Sequence, residues 1–377
     1  MTLEEERVAR AALSRVFEPG DWRITEMVTR FGAIGLYARL RRGDGLSGVF
    51  ADAAARLAGC DPDTELATAA RLGVRFVIPG DQEWPEQLDD LASAEPLNNR
   101  AGTPIGLWAK GPVRLNTLAA SVAVVGSRAA TTYGDQLAAD IGRTLAEAGS
   151  PVVSGAAFGI DRAAHRGALA GGGPTIAVLA CGVDRAYPKA HASLLEHLAT
   201  FGAVVSEAPL GCAPQRIRFL ARNRLIAALT RGTVIVEAAV RSGALNTANW
   251  ANRLNRPVMG VPGPVTSTPS GGVHQLIRTG GAALVTNGQE VLEMVGAVGE
   301  HLLEEPRGPV GPRDALSLKQ QQVLDAVPVS NGAAADSIAR VAGLAPPEVA
   351  TALGHLHAAG LVEQDQDGWR LAALAHP

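Results

Sequence analysis

Arg216, Arg218, Phe219, Arg222 and Arg224 fall within nine residues, with Asn223 between the last two. Each guanidinium is a planar fork of donors matched to phosphate oxygens. A ring set among cations offers a face on which a base stacks, worth about 1–3 kcal/mol per base. The spacing predicts a surface that tracks a single-stranded nucleic acid. A purely structural role for Phe219 fits less well, because the apolar run that follows already supplies Leu225, Ile226 and Leu229 for packing.

Three small-residue loops add donors. Gly126-Ser127-Arg128 follows an apolar run; glycine lets the backbone approach an anion, Ser127 offers a hydroxyl and Arg128 a cation. Ser154-Gly155 opens a second loop, and Ser242-Gly243 a third at a helix start. Asp161 and His165, four apart, superficially form an acid/base pair. No nucleophile lies near them in sequence, so a helix-capping carboxylate and a packed imidazole are expected, and no catalytic residue is assigned.

Elements must hold these loops at one edge. From Val122 onward, short apolar runs alternate with amphipathic stretches: strands at 122–125, 152–153, 175–179, 204–206, 234–237, 258–261 and 283–285, with helices at 134–148, 160–170, 192–200, 222–230 and 245–254. Continuous β-branched runs separated by helices imply a mostly parallel sheet covered on both faces, an α/β Rossmann-like fold. Before it, Thr2 and Glu5 form a capping box for a first helix. Helices near 22–31 and beyond then meet across Gly32 to Gly35, as in a helix-hairpin-helix. The nearby Arg39, Arg41 and Arg42 are expected to be a solvated face. After it, three prolines and two glycines within 304–312 predict a linker. Helices at 316–326, 333–342 and 346–359, then strands near 361–363 and 369–371, outline a winged helix. Its third helix carries Glu348, His355 and His357 but no Lys or Arg, which favours protein contact over groove reading. The expected domains are 1–75 helical, 76–300 Rossmann-like, 301–315 linker and 316–377 winged helix.

Composition bounds the rest. The 377 residues carry a net charge of −3, yet residues 116–295 hold 15 basic against 10 acidic side chains, and residues 215–256 hold eight arginines against Glu237 alone. That stretch is the electrostatic footprint. Cys60, Cys181 and Cys212 are widely separated, which argues against a disulfide framework and a zinc ribbon; neither a metal nor a cofactor is expected. The acidic start of the chain and the lack of a long apolar run predict a cytoplasmic protein that does not cross a membrane.

Separated motifs occur in an order that resembles the DprA/Smf family of DNA-processing proteins: GSRAATTYG from Gly126, SGAAFGIDRAAH from Ser154, YPKAH from Tyr187, RFLARNRLIA from Arg218, VEAAVRSGALNTA from Val236, VPG from Val261 and GGVHQLIRTGGA from Gly271. The resemblance spans residues 121–286, and the flanking helical (helix-hairpin-helix or SAM-like) and winged-helix segments extend it. It implies an extended Rossmann fold and a homodimer that binds single-stranded DNA, protects it and loads the RecA recombinase during natural transformation. It places DNA contacts on Gly126, Ser127, Arg128, Lys189, Arg216, Phe219, Arg222 and Arg224. His191 and His274 stand where the family usually has asparagine, and Leu220 where it has proline.

Two other readings compete. The same Rossmann variant is similar to phosphoribohydrolases that process nucleotides, but Val261-Pro262-Gly263 lacks their glycine-rich continuation and Glu237 with Ser242-Gly243 only distantly matches their site. A winged-helix regulator with a sensing core is disfavoured by the uncharged third helix.

Overall fold

The computed structural model of the protein describes residues 2–43, 46–303 and 311–372. They form two compact units, one ending at Leu303 and one beginning beyond it. Most of the expected linker, residues 304–310, lies outside the described residues.

The first unit opens with α1 (Leu3–Val16), α2 (Trp22–Arg42), α3 (Val49–Leu57) and α4 (Pro62–Arg71). Thr2 accepts from the Glu5 N–H while the Glu5 carboxylate accepts from the Thr2 N–H, closing the capping box. α2 is two helices meeting at Gly32, whose φ of 69° needs a residue without Cβ. Alternating strands and helices follow: β1 (Val74–Val77), β2 (Leu107–Lys110), β3 (Val122–Val125), α5 (Thr132–Glu147), β4 (Val152–Ser154), α6 (Ile160–Ala170), β5 (Thr175–Leu179), α7 (Ala192–Phe201) and β6 (Ala203–Ser206). The series continues with α8 (Arg216–Leu229), β7 (Gly232–Ile235), α9 (Ala244–Arg253), β8 (Val258–Gly260), α10 (Gly271–Arg278), β9 (Ala283–Leu284) and α11 (Gly288–Val295).

One nine-stranded sheet results, in the order β1-β2-β6-β5-β4-β3-β7-β8-β9. Its seven later strands are mutually parallel, whereas β1 pairs antiparallel with β2 and β2 with β6. The two antiparallel strands were not foreseen from the pattern: they precede the regular strand–helix alternation that begins at Val122. Side chains of β3 show why the parallel runs are apolar throughout. Val122 and Val124 pack with Ile141, Leu145 and Ile160 of α5 and α6, while Ala123 and Val125 join Leu225, Ile226 and Trp250 of α8 and α9. The N-terminal helices share this core, since Ala11 and Ala69 pack with Val74, Phe76 and Trp108.

The expected helix at 222–230 begins six residues earlier. Its starting stretch holds only Arg, Ile, Phe, Leu and Ala, with neither Gly nor Pro to interrupt it, and Pro214 precedes the N-cap Gln215. The basic segment is therefore helical rather than a connection between strand and helix.

The second unit consists of α12 (Leu318–Ala326), α13 (Ala335–Ala342), α14 (Pro346–Ala358), β10 (Val362–Asp365) and β11 (Gly368–Leu371). The last two form an antiparallel hairpin. Val323, Ile338, Leu353 and Leu356 make its core. Glu348 on α14 is paired with Lys319 at 2.6 Å.

Candidate nucleic-acid interface

β3 pairs with β4 on one side and β7 on the other, so the connections after β3 and β7 diverge at the carboxyl edge of the sheet. Open α/β sheets form their binding crevice at such a switch point. Here the loop after β3 is pinned to the loop after β7. Ser127 N–H donates to the Glu237 carbonyl at 2.6 Å, and the buried Glu237 carboxylate accepts from Thr131 N–H at 2.9 Å and Thr131 Oγ1 at 2.6 Å. Thr131 in turn caps α5 by accepting from Gly134 N–H. A Cβ on Gly126 would run into the Ile160 side chain and the Glu237 carbonyl, so only glycine permits this approach.

Asp161 ties in the loop after β4. Its carboxylate accepts from Gly155 N–H at 3.1 Å and Ala157 N–H at 3.3 Å. Burial pushes this carboxyl up, opposed by the Arg222 charge and by these amides. Arg222 is itself buried; its Nη1 donates to the Val178 carbonyl at 3.2 Å, and a Cβ on Gly155 would overlap its guanidinium. Burial lowers the Arg222 pKa, Asp161 raises it, and the Arg128 charge lowers it further.

The crevice these loops enclose measures about 920 Å³. Arg128, Arg216, Arg222 and Arg241 line it, with Asp161 as the single carboxylate among the lining residues. Phe219, half-buried, lies between cations: the Arg128 guanidinium is 4.9 Å from its ring centroid and that of Arg222 6.0 Å. The Tyr187 ring is 5.7 Å away, and Phe158 continues the wall in an adjoining hollow.

The eight arginines of 215–256 divide by direction. Arg216, Arg222 and Arg241 face the crevice. The other five are held elsewhere: Arg218 pairs with Glu18, Arg224 with Glu207 and Arg256 with Asp90, while Arg231 and Arg253 donate to main-chain carbonyls. Among the described residues no carboxylate lies within ion-pair distance of Arg128, Arg216 or Arg241.

Gly126, Ser127, Arg128, Arg216, Phe219, Arg222, Asn223, Ser242 and Gly243 thus come together around one space, and Gly155 borders the adjoining hollow. Three expected residues stand differently. Arg224 is fully buried, 2.7 Å from Glu207, because α8 turns its inward face onto the sheet. Ser154 is also buried, its hydroxyl donating to the Val124 carbonyl at 2.7 Å. Lys189 is exposed and lines neither space. His191 is buried with Nδ1 2.9 Å from the Ala156 carbonyl, and His274 Nε2 sits 2.9 Å from the Gly263 carbonyl. His165 is packed in the core against Thr175. Arg241 and Tyr187 belong to the crevice although the sequence did not single them out. Arg241 precedes the Ser242-Gly243 turn, and that adjacency was the available signal.

The family model described as DNA recombination-mediator protein A matches residues 75–296. A putative DNA processing protein DprA of Mycobacterium tuberculosis is 44% identical over 366 residues, which cover 96% of this chain and 94% of that protein. The chain belongs to the DprA/Smf family. The crystal structure of the DprA from Streptococcus pneumoniae superposes on 78% of this chain and 98% of its own, with a TM-score of 0.63 and 32% identity. A structure of DNA processing protein A from Helicobacter pylori, solved for its single-stranded DNA binding mode, covers 58% of this chain and 94% of its own, with a TM-score of 0.51 and 28% identity. The large, mostly parallel sheet is the architecture this chain shares with the pneumococcal structure. Among the described residues, no helix is long and apolar enough to cross a membrane.

Proposed function

We infer that this chain binds single-stranded DNA along the crevice at the β3/β7 edge. The observation that carries the reading is Phe219, held between Arg128 and Arg222 in a space lined by four arginines and one carboxylate. Phosphates track the cations and a base stacks on the ring, a mode that tolerates any sequence. The reported single-stranded DNA binding of the Helicobacter pylori relative supports it. Contacts are assigned to Gly126, Ser127, Arg128, Arg216, Phe219, Arg222, Asn223, Ser242 and Gly243, with Tyr187 and Arg241 added. Arg224 and Ser154 serve the scaffold.

The reading extends to a cytoplasmic homodimer that protects incoming DNA and delivers it to RecA. The family's description as a recombination mediator supports the delivery step. The helix-hairpin-helix and winged-helix assignments are part of the same reading, supported by the kink at Gly32 and by the three helices and hairpin of 318–371. The Glu237 carboxylate, which a hydrolase reading would need free, is engaged by Thr131.

Fluorescence anisotropy with labelled oligo-dT at several salt concentrations tests the site. Binding that weakens steeply with salt, and that is lost in a folded Arg128→Glu variant, is expected. Unchanged affinity in that variant overturns the assignment. Displacement of single-strand-binding protein by RecA, with and without this chain, tests delivery, and sedimentation tests dimerisation.

A further inference from the structure

A second arginine-lined cleft lies where the N-terminal helices meet the segment leading into α8. It encloses about 370 Å³, between the last turn of α1, the following residues through Arg23 and the stretch from Pro209 to Arg218. Five arginines and only two carboxylates, Glu18 and Asp21, line it. Arg218 holds Glu18 at 2.7 Å, Arg23 holds Asp21 at 2.6 Å, and Arg15 pairs with Glu65. Arg56 and Arg100 have no carboxylate within ion-pair distance among the described residues. Arg56 Nη2 donates to the Val16 carbonyl at 2.9 Å, and Arg100 Nη1 to the Pro19 carbonyl at 3.1 Å.

Of the five arginines lining the cleft, Arg100 alone is buried. Only 9% of its surface is exposed, and its buried Nε has no acceptor. A buried guanidinium ordinarily finds carboxylate or carbonyl oxygens for its donors, since an unmet donor in a desolvated place is costly. Burial lowers its pKa, which Asp21 and Glu18 raise and the nearby Arg224 charge lowers again. A tetrahedral oxyanion can meet several guanidinium donors at once.

We propose that this cleft is a second phosphate site, in which Arg56 and Arg100 hold a backbone phosphate of the same DNA strand that occupies the crevice. The proposal rests on the single-strand reading above. Continuity favours the strand as the source of the phosphate. The first turns of α8 separate the two spaces, with Arg216 and Phe219 turned to the crevice and Arg218 to the cleft. Gln215, the N-cap of α8, makes no side-chain capping bond, which leaves the first amides of this 14-residue helix without a side-chain acceptor from the cap.

The full chain carries the test, with Arg100→Gln and Arg56→Gln; Arg56 is exposed, so its variant keeps the question open to test if the Arg100 change disturbs folding. Thermal unfolding at constant ionic strength, with inorganic phosphate or thymidine monophosphate as probe, is expected to show a stabilising shift in the wild type and in Arg128→Glu. In the Arg128→Glu background, either glutamine change abolishes that shift. With oligo-dT of about 6 and about 20 nucleotides, both variants weaken the longer one several-fold and leave the shorter one unchanged. The salt slope for the longer one falls by the contribution of about one phosphate. A shift lost without any change for the longer oligonucleotide keeps a free-phosphate site and overturns the strand path. An unchanged shift together with unchanged affinity for both lengths overturns the whole proposal. Full oligonucleotide affinity in Arg128→Glu would sink the crevice reading instead, and the phosphate shift still decides the cleft.

Discussion

The guanidinium carbon of Arg128 stands 4.9 Å from the centroid of the Phe219 ring. The two residues are far apart in sequence, one in the loop after β3 and one in the first turn of α8, and they meet only because that loop is clamped by Glu237 while α8 packs across the sheet. A cation held against a ring face is a ready pair of subsites, one for a phosphate and one for a base.

Arg128→Ala is expected to remove one phosphate contact. The slope of log affinity against log salt for a single strand then falls by about 0.7. Titrations at several salt concentrations measure it, and an unchanged slope counts against a phosphate role for Arg128.

Phe219→Ala should cost about 1–3 kcal/mol in binding, a loss of about 5- to 150-fold, with little change in fold because the ring is only half-buried. Phe219→Trp should retain or strengthen binding. Equal affinities for the alanine and tryptophan variants would show that no base stacks there.

Glu237→Ala frees Thr131 N–H, Thr131 Oγ1 and with them the loop that carries Arg128. Losing two hydrogen bonds from a buried carboxylate is expected to lower stability by about 1–3 kcal/mol. Affinity for oligo-dT should fall too, although Glu237 is not among the residues lining the crevice. Denaturant unfolding and anisotropy on the same preparation separate the two effects.

Arg224→Ala should act on stability rather than on DNA contact. It strands Glu207 in the core, at a cost of about 3–5 kcal/mol. Replacing both partners, Arg224→Met with Glu207→Leu, should recover much of that loss. A double variant as unstable as the single one would show that the pair is not the reason.

His165 gives a pH dependence with a defined sign. Thr175 Oγ1 donates to the Val152 carbonyl at 2.8 Å, so it accepts from His165 Nδ1 at 2.7 Å, and the buried Nε2 has no partner. The imidazole is therefore neutral, and burial first, then the His191 and Arg222 charges, lower its pKa from 6.5 to about 3. The unfolded chain takes up this proton first, so stability falls as pH drops below about 6.5, by at most about 1.4 kcal/mol per unit, until about pH 3. His165→Leu should flatten the curve over that window. Matching slopes for wild type and variant would show that His165 is already protonated in the fold.

The parallel strands and their helices were legible in the sequence because a sheet covered on both faces demands unbroken apolar runs, as at Val122–Val125 and Thr175–Leu179. The glycine loops were legible too, since Gly126 and Gly155 sit where a Cβ has no room. β1 and β2 were not, being short antiparallel additions whose place is set by β6 rather than by their own pattern.

By itself, the sequence determined the α/β class, the family, and a surplus of arginine in residues 215–256. Only the tertiary structure decided which of those arginines line the crevice. Helical periodicity turns Arg222 toward the crevice and Arg224 into the core, and the acids that neutralise Arg218 and Arg256 are Glu18 and Asp90, distant in the chain and brought close by packing. Charge along a chain is additive, but the field at a site depends on distance and burial, and folding sets both.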